Sequence, residues 1–341
     1  MTARGARMAG TALLASVLAA GSLAGTAPRA QGLPPAAAAG WSVVVLGAPD
    51  TGASAKRVLT LVSPGGQQYP IRVIDSTWQL VDVTPDGRKV LMYSDIGGVP
   101  QYAVVSAGGG MQTVVATGAR FSGPAGDRLV EVGDSGLGTS ARKITLTGRT
   151  VFRLPVPYPR VVTPNPDATL LLEDTWTTDT VASNATGTTL RRVGRPAGGY
   201  ASCGAAHWSS STTFTQSCLR SDGRRAVYRF STTGVAPVRL TAPALDRMGV
   251  VDSWTISGRQ VVRATAGGDR FAVVRGARLS SYNPRTTGVA PLGVVGGSLF
   301  YSGSTLVRVS AITGATTTLA GGARNPGQLV RDALVIGGGA I

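Results

Sequence analysis

Aspartates recur at one position of a repeated pattern, and they are the residues of this sequence with the clearest potential for chemistry. Asp95, Asp134 and Asp174 each lie ten residues after a proline, and each follows a short apolar stretch. If the repeats form neighbouring sheets, the three carboxylates share one rim, where oxygen ligands could bind a cation such as calcium. In the alternative interpretation, each aspartate hydrogen-bonds to the backbone of its own loop.

Two further aspartates, Asp252 and Asp332, lie in apolar stretches that we expect beside a central channel, and cavity mouths are common ligand sites. The alternative is that each is a polar residue at a strand end whose hydrogen bonds are made within the protein. His207 is the only histidine, and without a second ligand or a nucleophile beside it we expect a structural role. Glu173 precedes Asp174, but neighbours on a strand point to opposite faces, which argues against joint acid–base work by this pair.

The composition excludes several classes of catalytic and metal site. One histidine and two cysteines are too few for most zinc sites and for iron–sulfur clusters. The sequence has no Gly-x-x-x-x-Gly-Lys loop, no His-Glu-x-x-His motif and no Gly-x-Ser-x-Gly elbow. We therefore expect no cofactor and no metal, and a non-catalytic protein more than an enzyme. The alternative is a hydrolase or lyase that uses the five aspartates at a channel rim.

The chain is strongly basic, with 33 Lys and Arg against 17 Asp and Glu and a formal net charge of +16. Its arginines are spread along the whole sequence, whereas a nucleic-acid binder more often clusters them on one element, so we expect no nucleic-acid partner. The densest basic positions could bind an anionic polymer of the cell envelope by bidentate contacts, or could be solvated surface. These positions are Arg191, Arg192, Arg195, Arg224 and Arg225.

The first 30 residues have the pattern of a secretory signal peptide. Arg4 and Arg7 precede an apolar stretch at 11–25 that is too short for a comfortable membrane span. An uncleaved anchor is the alternative. Residues 31–40 have the composition of a disordered linker, and no later apolar run approaches 18 residues. We therefore expect an extracytoplasmic protein that has no transmembrane segment after signal cleavage.

Two kinds of hairpin alternate through residues 41–341. One has a proline-containing turn, as at 78–94, and the other has a glycine-containing turn between β-branched strands, as at 101–116. About seven of each, with a period of 39 to 40 residues, give four strands per repeat. This pattern predicts an all-β fold, a β-propeller of seven blades, with six possible and a pair of β-sandwiches as the structural alternative.

The order of the hairpins predicts how the ring closes. The sequence begins with a hairpin of the second kind and ends with one of the first kind, near 327–338, so one blade must be shared between the N-terminal and C-terminal segments. Such closure removes exposed sheet edges. Trp41–Leu46 is interpreted as an extra edge strand on that blade. We expect the closed ring to be a monomer.

The two cysteines lie on either side of a polar turn at Ser209–Ser211. A hairpin centred there places Cys203 opposite Cys218, where the Cβ atoms of cross-strand neighbours are about 4.5–5.5 Å apart. An exported compartment permits a disulfide, which over this loop would stabilise the fold by about 3 kcal/mol. Two free buried thiols are the alternative.

Residues 84–115 resemble the propeller repeat of the TolB family. That repeat opens with Ser-Pro-Asp-Gly, here Thr84 to Gly87, and continues through an apolar strand to Ser-Asp and a glycine-containing loop. The resemblance implies an exported protein with a binding role. It does not imply a role in the Tol system, because TolB carries an additional N-terminal α/β domain for which this chain has no room. We expect a binding or scaffold module of the bacterial envelope or secretome, with a protein or an envelope polymer as its partner.

Overall fold

The computed structural model describes residues 37–49, 55–96, 98–134, 139–156, 158–175 and 178–337. These residues form seven antiparallel sheets with four main strands each. Within the described ranges there is no α-helix, only two 3-10 turns at Pro243–Leu245 and Gly322–Arg324. None of the described segments forms a helix that is long and apolar enough to cross a membrane. The predicted signal peptide lies outside the described residues.

The first sheet, the closing blade, combines strands from both ends of the chain. Its strands are β1 (Ser42–Gly47), β2 (Lys56–Val62), β3 (Gln68–Asp75) and β29 (Leu329–Val335). Blade 2 contains β4 (Gln79–Val83), β5 (Lys89–Ile96), β6 (Val99–Ser106) and β7 (Met111–Val114). Blade 3 contains β8 (Ala119–Phe121), β9 (Arg128–Asp134), β10 (Thr139–Thr145) and β11 (Thr150–Arg153). Blade 4 contains β12 (Val161–Pro164), β13 (Leu170–Asp174), β14 (Asp179–Ser183) and β15 (Thr189–Val193).

The remaining blades follow in chain order. Blade 5 contains β16 (Tyr200–Cys203), β17 (His207–Trp208), β18 (Thr213–Arg220), β19 (Arg225–Ser231) and β20 (Val238–Arg239), of which β16 and β17 both pair with β18. Blade 6 contains β21 (Val250–Ile256), β22 (Arg259–Ala264), β23 (Arg270–Arg275) and β24 (Arg278–Ser281). Blade 7 contains β25 (Val289–Val295), β26 (Ser298–Gly303), β27 (Leu306–Ser310) and β28 (Thr316–Ala320).

Seven clusters of buried apolar side chains hold the ring together, one between each pair of neighbouring blades in the described part of the chain. Strand β1 contributes side chains to two clusters, because alternate side chains on a strand point to opposite faces. Val43 and Val45 pack towards blade 2, and Val44 and Leu46 pack towards blade 7. Every blade is therefore covered on both faces, and the fold is the predicted seven-bladed propeller rather than a pair of sandwiches.

The closing blade confirms that the N-terminal and C-terminal segments pair. Strand β29 is followed in the sheet by β1, β2 and β3, with Ser42 opposite Val335 and Gly47 opposite Leu329. The prediction of an extra edge strand at Trp41–Leu46 was wrong, because β1 lies inside the sheet between β29 and β2. The segment near 327–338 supplies one strand and not a hairpin, since β1 takes the place of the second strand.

Each blade has two ends with different connections. The tight turns that join its first strand to its second and its third to its fourth lie at one end, which we call the turn face. The loop between the second and third strands and the link to the next blade lie at the other end, the loop face. Ala37, within the predicted linker at 31–40, is buried on the turn face, where its amide donates to Asp86 O at 2.9 Å.

The first turn of blades 2, 3 and 4 has the same hydrogen-bonded geometry. The closing bonds run from Gly87 N to Thr84 O at 2.8 Å, from Gly126 N to Gly123 O at 3.1 Å and from Ala168 N to Asn165 O at 2.9 Å. Proline stands at the second position of each turn, where its fixed φ fits. The turn of blade 4 is thus built on Pro166, and not on Pro164, from which the sequence pattern was counted.

A glycine in the second turn of blade 4 allows that turn to lie against blade 3. Gly187, between β14 and β15, has φ of +75°, which favours glycine. An added Cβ at this position would overlap the ring of Phe152 on β11, the outer strand of blade 3. The contact joins two neighbouring blades near the outer edge of the ring.

The predicted disulfide is confirmed in blade 5. Cys203 on β16 lies opposite Cys218 on β18, with the Cα atoms 3.9 Å apart and the two sulfurs bonded. Both residues are buried against Phe214 and Phe230. The bridge therefore fastens the inner strand of blade 5 to its neighbour from within the core.

Candidate functional site

Two aspartates face each other on the loop face of blade 4. Asp174 ends β13 and Asp179 begins β14, and the strand register places them directly opposite each other across the loop that joins the strands. Both residues are buried, with exposures of 1% and 0%. Sequence reasoning selected Asp174 and missed Asp179, although two acids that flank a four-residue loop between consecutive strands would have indicated the pair.

Two arginines cover these aspartates. Arg160 Nη2 lies 2.6 and 2.7 Å from the two carboxylate oxygens of Asp174 and also donates to Cys203 O at 2.9 Å in blade 5. Arg195 Nη1 lies 3.3 Å from Asp179 Oδ2, and its Nη2 donates to Thr175 O at 3.0 Å. The arginine side chains are 22% and 14% exposed. A ligand on this face would therefore meet guanidinium groups before it met a carboxylate.

Burial changes the protonation chemistry of the pair. Burial raises the pKa of Asp179 to about 7; the charge of Arg195 opposes this shift and the neighbouring Asp174 adds to it. Burial also raises the pKa of Asp174, against the hydrogen bond and the charge of Arg160. A carboxyl that titrates near neutral pH can transfer protons or make binding depend on pH. Here it lies beneath two arginines and is closed to a substrate.

Asp95, Asp134 and Asp174 lie at the loop-face ends of the second strands of blades 2, 3 and 4, but their positions in those blades are not equivalent. Asp95, near the end of β5, and Asp134, at the end of β9, each follow the turn proline by ten residues. Asp174 follows Pro166 by eight, so it lies two positions earlier in its blade. Asp95 is exposed and Asp174 is buried. Among the residues that the structure describes, no three His, Cys, Asp or Glu side chains converge as metal ligands would.

Asp332 and Asp82, a residue that the sequence analysis did not select, link the inner strands of neighbouring blades. Asp332 on β29 accepts from the amide of Ala333 at 2.8 Å and from that of Leu80, in blade 2, at 2.7 Å. Asp82 on β4 accepts from Val83 N at 2.8 Å and from Phe121 N in blade 3 at 2.9 Å. The innermost strand carries an extra bulged residue just before each aspartate. These carboxylates therefore hold the ring together on its channel side.

Asp252 makes a comparable link between blades 5 and 6, and it involves the only histidine. Its Oδ2 lies 2.7 Å from His207 Nδ1, and Thr215 Oγ1 donates to its Oδ1 at 3.1 Å. Burial lowers the pKa of His207, but the hydrogen bond and charge of Asp252 outweigh burial, so the pKa lies above its usual value. Asp252 and His207, which the sequence placed apart, are thus one polar contact between two blades.

The five arginines selected from the sequence fall into different environments. Arg191 and Arg192 are exposed on β15, the outer strand of blade 4. Arg224 is exposed in the loop before β19, 3.6 Å from Asp222, and Arg225 begins that strand half-buried. Arg195 belongs to the covered aspartate pair. The structure therefore leaves Arg191 and Arg192 exposed on one outer strand, where consecutive side chains point to opposite faces, and separates Arg195 from the exposed set.

A pair of equivalent glutamates differs in its surroundings. Glu131 and Glu173 each follow the turn proline of their blade by seven residues, and both are buried. Glu131 forms an ion pair with Arg142, which lies opposite it on the next strand, whereas Thr180 lies opposite Glu173. Burial raises the pKa of Glu173 to about 7, and only the amide of Val156 opposes the shift. Glu173 is therefore a buried carboxyl without the cation that its equivalent has.

Comparisons with known proteins identify the class of fold. The β-propeller domain of the Trilobed protease from Pyrococcus furiosus is 10% identical, with a TM-score of 0.53 over 84% of this chain and 96% of that domain. The acylaminoacyl peptidase of Pyrococcus horikoshii is 11% identical, with a TM-score of 0.52 over 84% of this chain and 52% of the peptidase. TolB from Acinetobacter baumannii is 16% identical, with a TM-score of 0.44 over 71% of this chain and 65% of TolB.

The chain is a seven-bladed β-propeller, and TolB structures are among the solved propellers that it resembles, as the sequence predicted. It spans about half the length of several of the peptidases that it matches. The Pyrococcus furiosus domain has an open velcro topology, whereas β29 and β1 close this ring. No protein-family model and no curated protein matches the chain.

Proposed function

We propose that this propeller is an exported, non-catalytic binding or scaffold module of the bacterial cell envelope or secretome. The observation that carries the proposal is that its acidic side chains are engaged in contacts within the ring. Asp332 binds the amide of Leu80, Asp252 binds His207, and Asp174 binds Arg160. A catalytic carboxylate must reach a substrate atom within hydrogen-bond distance. These carboxylates are instead engaged in contacts of the ring.

The location outside the cytoplasm rests on two features. The disulfide in blade 5 suits an oxidising compartment. The predicted signal peptide at residues 1–30 would direct the chain there. Cell fractionation tests the location. The untagged protein is probed in the washed cells, in an extract of the cell envelope and in the culture fluid. Protein that remains in the cytoplasmic fraction with free thiols would contradict export.

The alternative hydrolase or lyase would use the Asp174–Asp179 pair, because these two carboxyls converge and burial raises the pKa of both, that of Asp179 to about 7. The test measures turnover of a panel of esters and envelope glycans by the wild type and by Asp179→Asn. A binding module shows no turnover by either protein. Turnover by the wild type that Asp179→Asn abolishes, with the circular dichroism spectrum unchanged, would establish an enzyme and refute the proposal.

One observation favours an anionic envelope polymer as the partner. Arg191 and Arg192 are both exposed on β15, the outer strand of blade 4, in a protein whose net charge is +16. Retention on an anionic envelope polymer should fall steeply with salt and should weaken in the Arg191→Gln/Arg192→Gln variant. The control is Arg275→Gln/Arg278→Gln, which removes two exposed arginines that face each other in blade 6. Equal losses in both variants would show that net charge alone, and not this pair, attracts the polymer.

A further inference from the structure

A cleft on the turn face lies between blades 3 and 4, away from the aspartate pair. Its volume is about 400 Å³, within the range of small-molecule sites. One wall is the first turn of blade 3, from Ser122 to Ala125, and Asn184 and Ala185 of blade 4 form the other. Lys143 on β10 also lines the cleft.

The walls of this cleft are held in place by one buried side chain. Asn184 is 3% exposed, and its Nδ2 donates to Ser122 O at 2.6 Å and to Ala168 O at 2.7 Å. Its two carbonyl oxygens accept from Lys143 Nζ at 2.7 and 2.9 Å. The two blades and the lysine are therefore joined through Asn184, so that the cleft exists before any ligand arrives.

The lysine is only partly satisfied by these contacts. An ammonium group has three N–H donors; Asn184 accepts two of them, and the ammonium also lies over the Phe152 ring, 5.6 Å from its centre. Burial lowers the pKa of Lys143, and the nearby charge of Arg128 lowers it further. Arg128 also lines the cleft, together with the exposed carboxylate of Asp127, which lies 3.7 Å from it. Lys143 and Arg128 carry two positive charges, and Asp127 carries one negative charge. The cleft therefore has an excess positive charge, which an anion would neutralise.

We infer that this cleft binds an oxyanion, the carboxylate or phosphate group of a small ligand, through the ammonium of Lys143 and the guanidinium of Arg128. Hydrogen bonds between charged groups are stronger than those between neutral ones, which favours an ionised ligand here. The rest of the ligand would lie against Val151 and Ala185, which give the cleft an apolar side.

The test uses the full chain and titrates inorganic phosphate, acetate and uncharged glycerol at constant ionic strength, with binding followed by calorimetry. Saturable binding of phosphate, of acetate or of both supports the inference, and the difference between them identifies the anionic group. Lys143→Met should weaken this binding at least about tenfold. Absence of saturable binding of either anion to the wild type would overturn the inference.

A matched control separates the cleft from general attraction to a basic protein. Lys89 of blade 2 donates to Ala125 O at 2.9 Å and to Gly126 O at 3.2 Å, so it bridges two blades as Lys143 does, but it does not line the cleft. Lys89→Met should bind the anions as the wild type does. Equal weakening in Lys89→Met and Lys143→Met would contradict the inference.

A second variant covers the case in which Lys143→Met fails to fold. Ala185 is exposed at the edge of the cleft, so Ala185→Trp fills the space and leaves the charges unchanged. We expect this variant to fold and to lose anion binding. Undiminished binding by a folded Ala185→Trp variant would place the anion elsewhere on the protein.

Discussion

Replacement of Glu173 by glutamine should make this protein more stable at alkaline pH and leave its stability nearly unchanged at acid pH. The carboxyl is buried at the contact between blades 3 and 4, where burial raises its pKa from 4.5 to about 7. At about 1.4 kcal/mol per unit of pKa, the ionised form costs about 3 kcal/mol of folding free energy. Glutamine has a similar shape and carries no charge.

The pH window follows from the direction of the shift. Below pH 4.5 the Glu173 carboxyl is protonated in both the folded and the unfolded chain, and it costs nothing. Between pH 4.5 and about 7 the unfolded chain releases the proton while the folded chain retains it, so the free energy of unfolding falls as pH rises. The full cost is present above pH 7. Glu173→Gln should therefore gain up to about 3 kcal/mol over the wild type at pH 8 and almost nothing near pH 4.

Urea denaturation at both pH values measures this difference, with Glu131→Gln as the control. Glu131 occupies the equivalent position but has Arg142 as its ion partner, so its replacement should destabilise the protein at pH 8. Asp179 also titrates near pH 7, but it is present in the wild type and in both variants, so its contribution cancels. The reasoning would be refuted if Glu173→Gln were no more stable than the wild type at pH 8, or if its gain were the same at both pH values.

Three other changes test separate parts of the ring. Reduction of the disulfide, which spans 15 residues, should lower the free energy of unfolding by about 3 kcal/mol in urea titrations, and an unchanged midpoint would count against its role. Asp332→Ala leaves the amide of Leu80 without its acceptor and should cost about 1–3 kcal/mol, whereas Asp332→Asn should cost less because its oxygen still accepts. Gly187→Val should lower the melting temperature, because φ is positive and Phe152 fills the space; a stable variant would disprove the contact.

The ring and its disulfide could be predicted because local residues specify them. Turn residues such as Pro85 and Gly87 mark the ends of hairpins, and the count of hairpins sets the number of blades. Cys203 and Cys218 flank one polar turn, so the register of a single hairpin brings them together. Closure by both ends also follows from counting strands. The place of β1 inside the closing blade does not, since sequence does not show which neighbour a lone strand will have.

The aspartate pair of blade 4 needed the structure. Pro164 and Pro166 both fit a turn, and the pattern was counted from the wrong one, which placed Asp174 two positions out of register. Arg160 comes from the link between blades and Arg195 from the next link, and neither position repeats along the chain. Contacts between blades depend on how the sheets pack, and no periodic pattern in the sequence records them.

The pairing of β29 with β1 has a consequence for the order of events during synthesis. The inner edge of β1 has no partner until residues 329–335 have emerged, almost the whole length of the chain after β1 itself. Until then the backbone amides and carbonyls of that edge are exposed to any other extended segment. Early termination of synthesis should therefore convert this propeller into an aggregating species, and a holding chaperone that masks one strand edge would protect it.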